Sequence, residues 1–260
     1  MTSKQNIKDK FDNTLRGTSC PTNLNPTHDG AEGHHIEKMM GLNHNSKCEP
    51  DMDGYELKAE SAKTTLGDWS ASEYVFSKQR EALNKINSWT NEHQMSRQKF
   101  IETFGTKKNE RYSWSGSCFP VYRRMNECGQ IINVDDAGNI AIYYNYEKDH
   151  RSEKVDFPEF LKQKEQCIAI WSSDKLKKHV DTKFNINGTF KVVKNNAVYS
   201  HIVFYNPFTF QYFIDFFKTG IILLDSGMNV GTTRNRQSFR TKSCFWNKLI
   251  CETYPAVERL

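Results

Sequence analysis

The 260-residue sequence has no Cys-x-x-Cys pair, no long hydrophobic run and no strong charge of either sign. Its seven cysteines, at positions 20, 48, 118, 128, 167, 244 and 251, are odd in number and unpaired in spacing. That argues against zinc ligation and against a disulfide framework, and it reads as mostly reduced thiols in a cytoplasmic protein. No stretch approaches the roughly 18 apolar residues of a membrane span. The segment from Met1 to Lys10 is polar, without the apolar core of a signal peptide, so no membrane partner is expected. Lys and Arg number 36 against 31 acids, a formal charge of +5 that names no partner by itself. Neither a Ser-His-Asp motif nor a glycine-rich nucleophile turn is present, which speaks against a sugar or peptide hydrolase.

What is present is enough apolar and aromatic material, 37% and 13%, to build a core. Ile7, Phe11 and Leu15 recur every four residues and stop at Gly17, predicting a short amphipathic helix. Thr18–Gly33 reads as loop. Ile36, Met39 and Met40 mark a second helix, and Phe100, Ile101 and Phe104 a third. Asp53-Gly54 is a turn signal feeding the alternating run Tyr55–Ala59. Gln130–Val134 and Ile140–Tyr146 flank a second turn signal and predict a hairpin. Cys167–Trp171, Thr189–Val193, Ala197–Tyr205, Ile221–Leu224 and Gln237–Lys242 read as strands of one sheet. Pro207–Lys218 reads as an aromatic helix closed by Gly220. Helices and strands alternate irregularly, so the expected fold is α/β, a mixed central β-sheet flanked by helices.

One stretch carries chemistry: Pro50-Asp51-Met52-Asp53-Gly54-Tyr55-Glu56-Leu57-Lys58. Side chains two apart on a strand share a face, so Glu56 and Lys58 project together. Asp51 can approach Glu56 across the turn, although Asp53 is an alternative first acid. Mg²⁺ favours hard oxygen ligands and is often held by one or two carboxylates plus a substrate phosphate. The bland alternative is an exposed Glu-x-Lys face, frequent in a chain with 26% charged residues. A rival set, Asp174, Asp181 and Lys183, fails on geometry. Leu176, Val180 and Phe184 recur there at helical spacing, which puts Asp181 and Lys183 on nearly opposite sides of a helix. His34, His35 and His44 suggest a His-Asn-His motif, but residue 46 is Ser.

Pro-Asp-x4-Glu-x-Lys resembles the active-site motif of the PD-(D/E)XK nuclease superfamily. Its surroundings are similar to a narrower group, the MvaI/BcnI-like restriction endonucleases, themselves similar to the mismatch-repair nickase MutH. Gly33–Met40 resembles the helix that precedes the motif in that group, and Val75–Lys78 the strand that follows it. Ile131–Tyr146, Phe217–Asp225 and Gln237–Arg240 resemble later segments in the same order. The resemblance implies a Type II restriction endonuclease that cuts double-stranded DNA as a monomer and leaves 5′-phosphate ends. It also implies a companion DNA methyltransferase. Asp51, Glu56 and the Leu57 carbonyl would hold Mg²⁺, Lys58 would position the attacking water, and Glu37 would assist. A MutH-like nickase and a non-enzymatic DNA-binding protein with a decayed site are the alternatives.

From Gly220 to Ile250 Asp225 is the only acid, among Arg234, Arg236, Arg240, Lys242 and Lys248. Arginine can bond guanine O6 and N7 together, and Asn or Gln can pair likewise with adenine. Arg234, Asn235, Arg236, Gln237 and Arg240 are therefore the candidate DNA contacts, with a G/C-containing site expected. The alternative is a basic edge holding phosphates, which fixes register without reading sequence. Where the resembled group has Asp-His-Gly, this chain has Arg234-Asn235-Arg236, so base specificity does not carry over. The expected division is a catalytic lobe over 1–110 and a DNA-recognition lobe over 111–260, with one continuous fold shared by the two as the alternative.

Overall fold

The first helix, Ser3–Thr14, forms where its apolar spacing predicts, capped by Thr2, whose hydroxyl accepts from Gln5 N–H at 3.2 Å. The structure is a computed structural model and describes residues 2–21, 30–42, 48–90 and 92–256. Part of the loop expected over Thr18–Gly33, and His44, lie outside those residues. The chain forms two compact units, Met1–Thr64 with Lys178–Phe213 and Lys242–Leu260, and Thr65–Lys177 with Ile214–Thr241. A single cut near residue 110 does not describe this interleaving. The strand Tyr55–Ala59 pairs in parallel with Gly188–Asn195, and parallel neighbours need a long crossover, so the first unit must recruit late sequence.

The first unit holds a four-stranded mixed sheet in the order Tyr55–Ala59, Gly188–Asn195, Val198–Tyr205, Ile250–Tyr254. Only the first pair is parallel. Its core gathers Ile7, Phe11 and Leu15 with Ile36, Leu57, Phe190, Tyr199 and Phe204. Two glycines make the motif strand possible. Gly54 has φ +82°, and a Cβ there would lie 2.6 Å from Asn187 Nδ2. Gly188 has φ +100°, and a Cβ there would lie 2.2 Å from Tyr205 O. Both are conformations and spaces only glycine fits.

Among the described residues the second unit contains three further sheets, one of four strands and two of three. The hairpin is present as Cys128–Val134 against Ile140–Asp149, joined by Gln166–Trp171 and Glu73–Tyr74. Ile222–Ser226 and Gln237–Lys242 pair with each other, and the latter also pairs with Lys63–Asp68, a strand unread in the sequence. The strands expected in a single central sheet are therefore divided among several sheets. Val75–Phe76, expected in a strand, form a turn after Glu73–Tyr74. The aromatic helix spans Phe210–Lys218 and buries Phe213 and Phe217, a packing role for its rings.

One cysteine pair corrects the sequence reading. Cys118 and Cys128, both buried, form a disulfide, while Cys20, Cys48, Cys167, Cys244 and Cys251 carry thiols. The Asn126 side chain draws the two ends together, accepting from Cys128 N–H at 3.0 Å and donating to Cys118 O at 3.0 Å. Among the described residues no helix is long and apolar enough to cross a membrane.

Candidate active site

The turn before the motif strand separates the two aspartates. Asp53 occupies the turn with φ 50°, its backbone carbonyl accepts from Asn187 Nδ2 at 2.8 Å, and its carboxylate accepts from Asn6 Nδ2 at 2.7 Å. It is thus turned toward the first helix. Asp51 folds back over the strand instead, and its Oδ2 accepts the Leu57 N–H at 2.9 Å. That bond closes Asp51 onto the segment carrying Glu56 and Lys58.

Glu56 is 1% exposed. Lys58 Nζ donates to Glu56 Oε1 at 2.6 Å, and Lys183 Nζ donates to the same oxygen at 2.9 Å. Lys183 comes from the helix Ser173–Phe184, whose Leu176, Val180 and Phe184 are fully buried. The helix is therefore as its spacing predicts, but Lys183 joins the motif acids instead of a rival set. Sequence reasoning missed it. The available signal was its position next to Phe184 at the border of the buried stripe.

The electrostatics are those of crowded acids. Burial, then the Glu56 charge, push the Asp51 carboxyl up to about 7, against the lowering effect of Leu57 N–H, Lys58 and Lys183. Burial alone would lower the Lys183 ammonium, but the Glu56 carboxylate against it outweighs this and raises its pKa. Glu56 Oε2 is buried without a hydrogen-bond partner among the described residues. A buried, bare carboxylate oxygen is costly, and a cation beside Asp51 and Glu56 would relieve both that cost and their mutual repulsion. The donor set suits a hard divalent ion: two carboxylates with the Leu57 carbonyl close by in sequence. Among the described residues no cluster of three His, Cys, Asp or Glu forms a metal site, so the fit rests on these two acids. Glu37 lies half-buried on Ala31–Met39, the helix whose Ile36 enters the core of this unit.

The candidate DNA contacts lie in the second unit. Arg234 and Arg236 are exposed, Arg236 with its Nε 3.5 Å from Asp68 Oδ2. Arg240 is partly buried, 3.6 Å from Asp225 Oδ2. Asn235 accepts through its side-chain oxygen from Arg97 Nε at 2.7 Å. Gln237 needs correction as a DNA contact. It is fully buried, accepts from Tyr74 OH and donates to Met228 Sδ at 2.7 Å. Strand alternation turns it, with Phe239 and Thr241, into the interior.

The family model described as LlaMI restriction endonuclease matches residues 15–254. The chain belongs to that family. It is 35% identical, over 247 residues, to the Type II restriction enzyme ScrFI of Lactococcus lactis subsp. cremoris, covering 88% of this chain and 90% of that one. Among solved structures, the restriction endonuclease MvaI–cognate DNA substrate complex matches the fold. Its TM-score is 0.61 at 14% identity, over 96% of this chain and 95% of that chain.

Proposed function

We propose that this chain is a Type II restriction endonuclease of the PD-(D/E)XK superfamily. It hydrolyses double-stranded DNA at a short, G/C-containing sequence with Mg²⁺ and leaves 5′-phosphate ends. One observation carries the reading: Asp51 and Lys183 converge with Lys58 around Glu56, whose Oε2 has no hydrogen-bond partner among the described residues. The 35% identity to a Type II enzyme over most of both chains supports the reaction class, and the fold shared with a DNA-bound endonuclease supports the substrate.

In this reading Asp51, Glu56 and the Leu57 carbonyl hold the ion. When bound, Mg²⁺ polarises the scissile phosphate and lowers the pKa of an attached water. Lys58 orients the attacking water and offsets charge building on the phosphate. Lys183 fixes the Oε1 of Glu56, leaving Oε2 for the ion. Glu37 assists from the neighbouring helix. Together these parts are asked for a share of the roughly 8–23 kcal/mol by which enzymes typically lower a barrier. Arg234, Arg236 and Arg240 contact DNA, and a companion methyltransferase protects the host in the cytoplasm. The enzyme acts as a monomer.

Incubating the pure chain with phage DNA and Mg²⁺, then sequencing the fragment ends, tests this. Double-strand breaks sharing one short sequence, with ligatable 5′-phosphates, are expected. Single-strand nicks alone would instead indicate a MutH-like nickase, and binding without cleavage a non-enzymatic DNA-binding protein.

A further inference from the structure

The segment between the strands Ile222–Ser226 and Gln237–Lys242 carries Arg234, Asn235 and Arg236. At its base Gly227 N–H donates to Arg236 O at 2.9 Å, and the Gln237–Met228 contact lies just inside. Beyond that, the backbone turns outward through Gly231 and the exposed residues 231–234. Its oxygens converge on one side chain. Arg97 Nη1 donates to Thr232 O at 2.6 Å and Asn229 O at 3.2 Å. Arg97 Nη2 donates to Arg234 O at 2.8 Å, and Nε to Asn235 Oδ1 at 2.7 Å. Ser70 Oγ adds a bond to Asn235 O at 2.6 Å.

Arg97 opens the helix Arg97–Phe104, which Ser96 caps through a bond from Lys99 N–H at 3.1 Å. The helix packs Phe100, Ile101 and Phe104 into the core of the same unit, so its first residue is held on a rigid base. A guanidinium presents a planar fork of five donors. Four acceptors from positions 229 to 235 engage four of those five donors, a task no other side chain has the geometry to perform.

We propose that Arg97 is a specificity-determining positioning residue. It shapes residues 229–235 into the one conformation that presents Arg234 and Arg236 to duplex DNA. This rests on the reading of residues 234–240 as a DNA-contacting segment. Arg97 itself touches no base: it fixes the carbonyl of Arg234 and the side chain of Asn235, and through them the direction of the arginines that do. A preorganised reader rejects a wrong base because it cannot readjust, whereas a loosened one adapts to several.

The test compares full-length Arg97→Ala, Arg97→Lys and Arg236→Ala with the unaltered chain. Each is assayed for kcat/KM on the chain's own recognition duplex and on duplexes with one base pair changed. Trypsin cleavage after Arg234 is followed alongside, as a readout of the segment independent of activity. For Arg97→Ala the cognate-to-changed ratio should fall about 10-fold or more, within the range a lost bidentate base contact spans. Trypsin should also cut after Arg234 faster. Arg97→Lys, with three donors and no planar fork, should fall between. An unchanged ratio in Arg97→Ala, or equal losses on every duplex, overturns the proposal, as does unaltered trypsin cutting. If Arg236→Ala shifts the ratio while Arg97→Ala does not, only the positioning role fails. If neither shifts it, the DNA-contacting reading of the segment fails first, and the role of Arg97 falls with it.

Discussion

Lys183, on a helix, and Lys58, on the motif strand, donate to the same oxygen of Glu56, at 2.9 and 2.6 Å. The second oxygen of that carboxylate is buried and has no hydrogen-bond partner among the described residues. The acid is therefore held through one oxygen by two cations.

The two lysines should separate in their effects. Lys58→Ala should lower single-turnover cleavage by at least about 100-fold while leaving duplex binding intact, since positioned proton-handling groups typically contribute 10²–10⁴-fold. Lys183→Met should destabilise the fold by about 1.5–3 kcal/mol, the worth of a hydrogen bond to a charged group. Urea titration of Lys183→Met, Glu56→Gln and the double variant measures the coupling. Additive losses would show that Lys183 does not act through Glu56.

Asp51 sets a pH dependence in metal-free protein. Its folded pKa, about 7, lies above the ordinary carboxylate value, so the folded state binds a proton that the unfolded state has released. The stability associated with that proton is fully present below the unfolded value, about 4. It is lost as pH rises through the folded value. Melting temperature in EDTA should therefore fall from pH 5 to pH 7.5 more steeply in the unaltered chain than in Asp51→Asn. At pH 7.5 Asp51→Asn should be the more stable of the two, yet inactive. Parallel melting curves across this range would contradict the crowding of the two acids.

Gly188 decides whether the motif strand can be laid down. With φ +100° and Tyr205 O 2.2 Å from where a Cβ would sit, Gly188→Ala forces the backbone apart beside Tyr55. A loss of about 3 kcal/mol or more is expected, from strain and overpacking together. Denaturant titration measures it, and a change below about 1 kcal/mol would show that the strand accommodates a side chain.

Gln237 and Arg236, adjacent in sequence, should fail differently. Gln237→Ala leaves Tyr74 OH and Met228 without their partner in the interior, and should cost about 1–3 kcal/mol of stability with discrimination little changed. Arg236→Ala loses only an exposed pairing with Asp68, worth about 0–1 kcal/mol. Its effect should appear in the choice among DNA sequences, compared by competition cleavage.

Local structure was legible because it depends on neighbours. The Ile7–Phe11–Leu15 stripe, the Asp53-Gly54 turn and the hairpin after Cys128 each announce themselves within about a dozen residues. So did the acids and lysine of the motif, since strand alternation puts Glu56 and Lys58 on one face. What escaped was long-range. Lys183 meets Glu56 only because a helix 127 positions further on packs beside the motif strand. Arg97 meets Asn235 across 138 positions. The inward turn of Gln237 follows from which face of its strand is covered, and the Cys118–Cys128 pairing from Asn126, neither of which any spacing rule reports.

The central claim is that Asp51 and Glu56 hold a divalent ion at which Lys58 assists cleavage. The most direct measurement is the single-turnover cleavage rate on one recognition duplex, titrated with Mg²⁺, for the unaltered chain, Asp51→Asn, Glu56→Gln and Lys58→Ala. Expected is a saturable Mg²⁺ dependence abolished by either acid variant, and a low plateau for Lys58→Ala at unaltered half-saturation. Cleavage in EDTA, or a Glu56→Gln variant that cuts as fast as the unaltered chain, would contradict it.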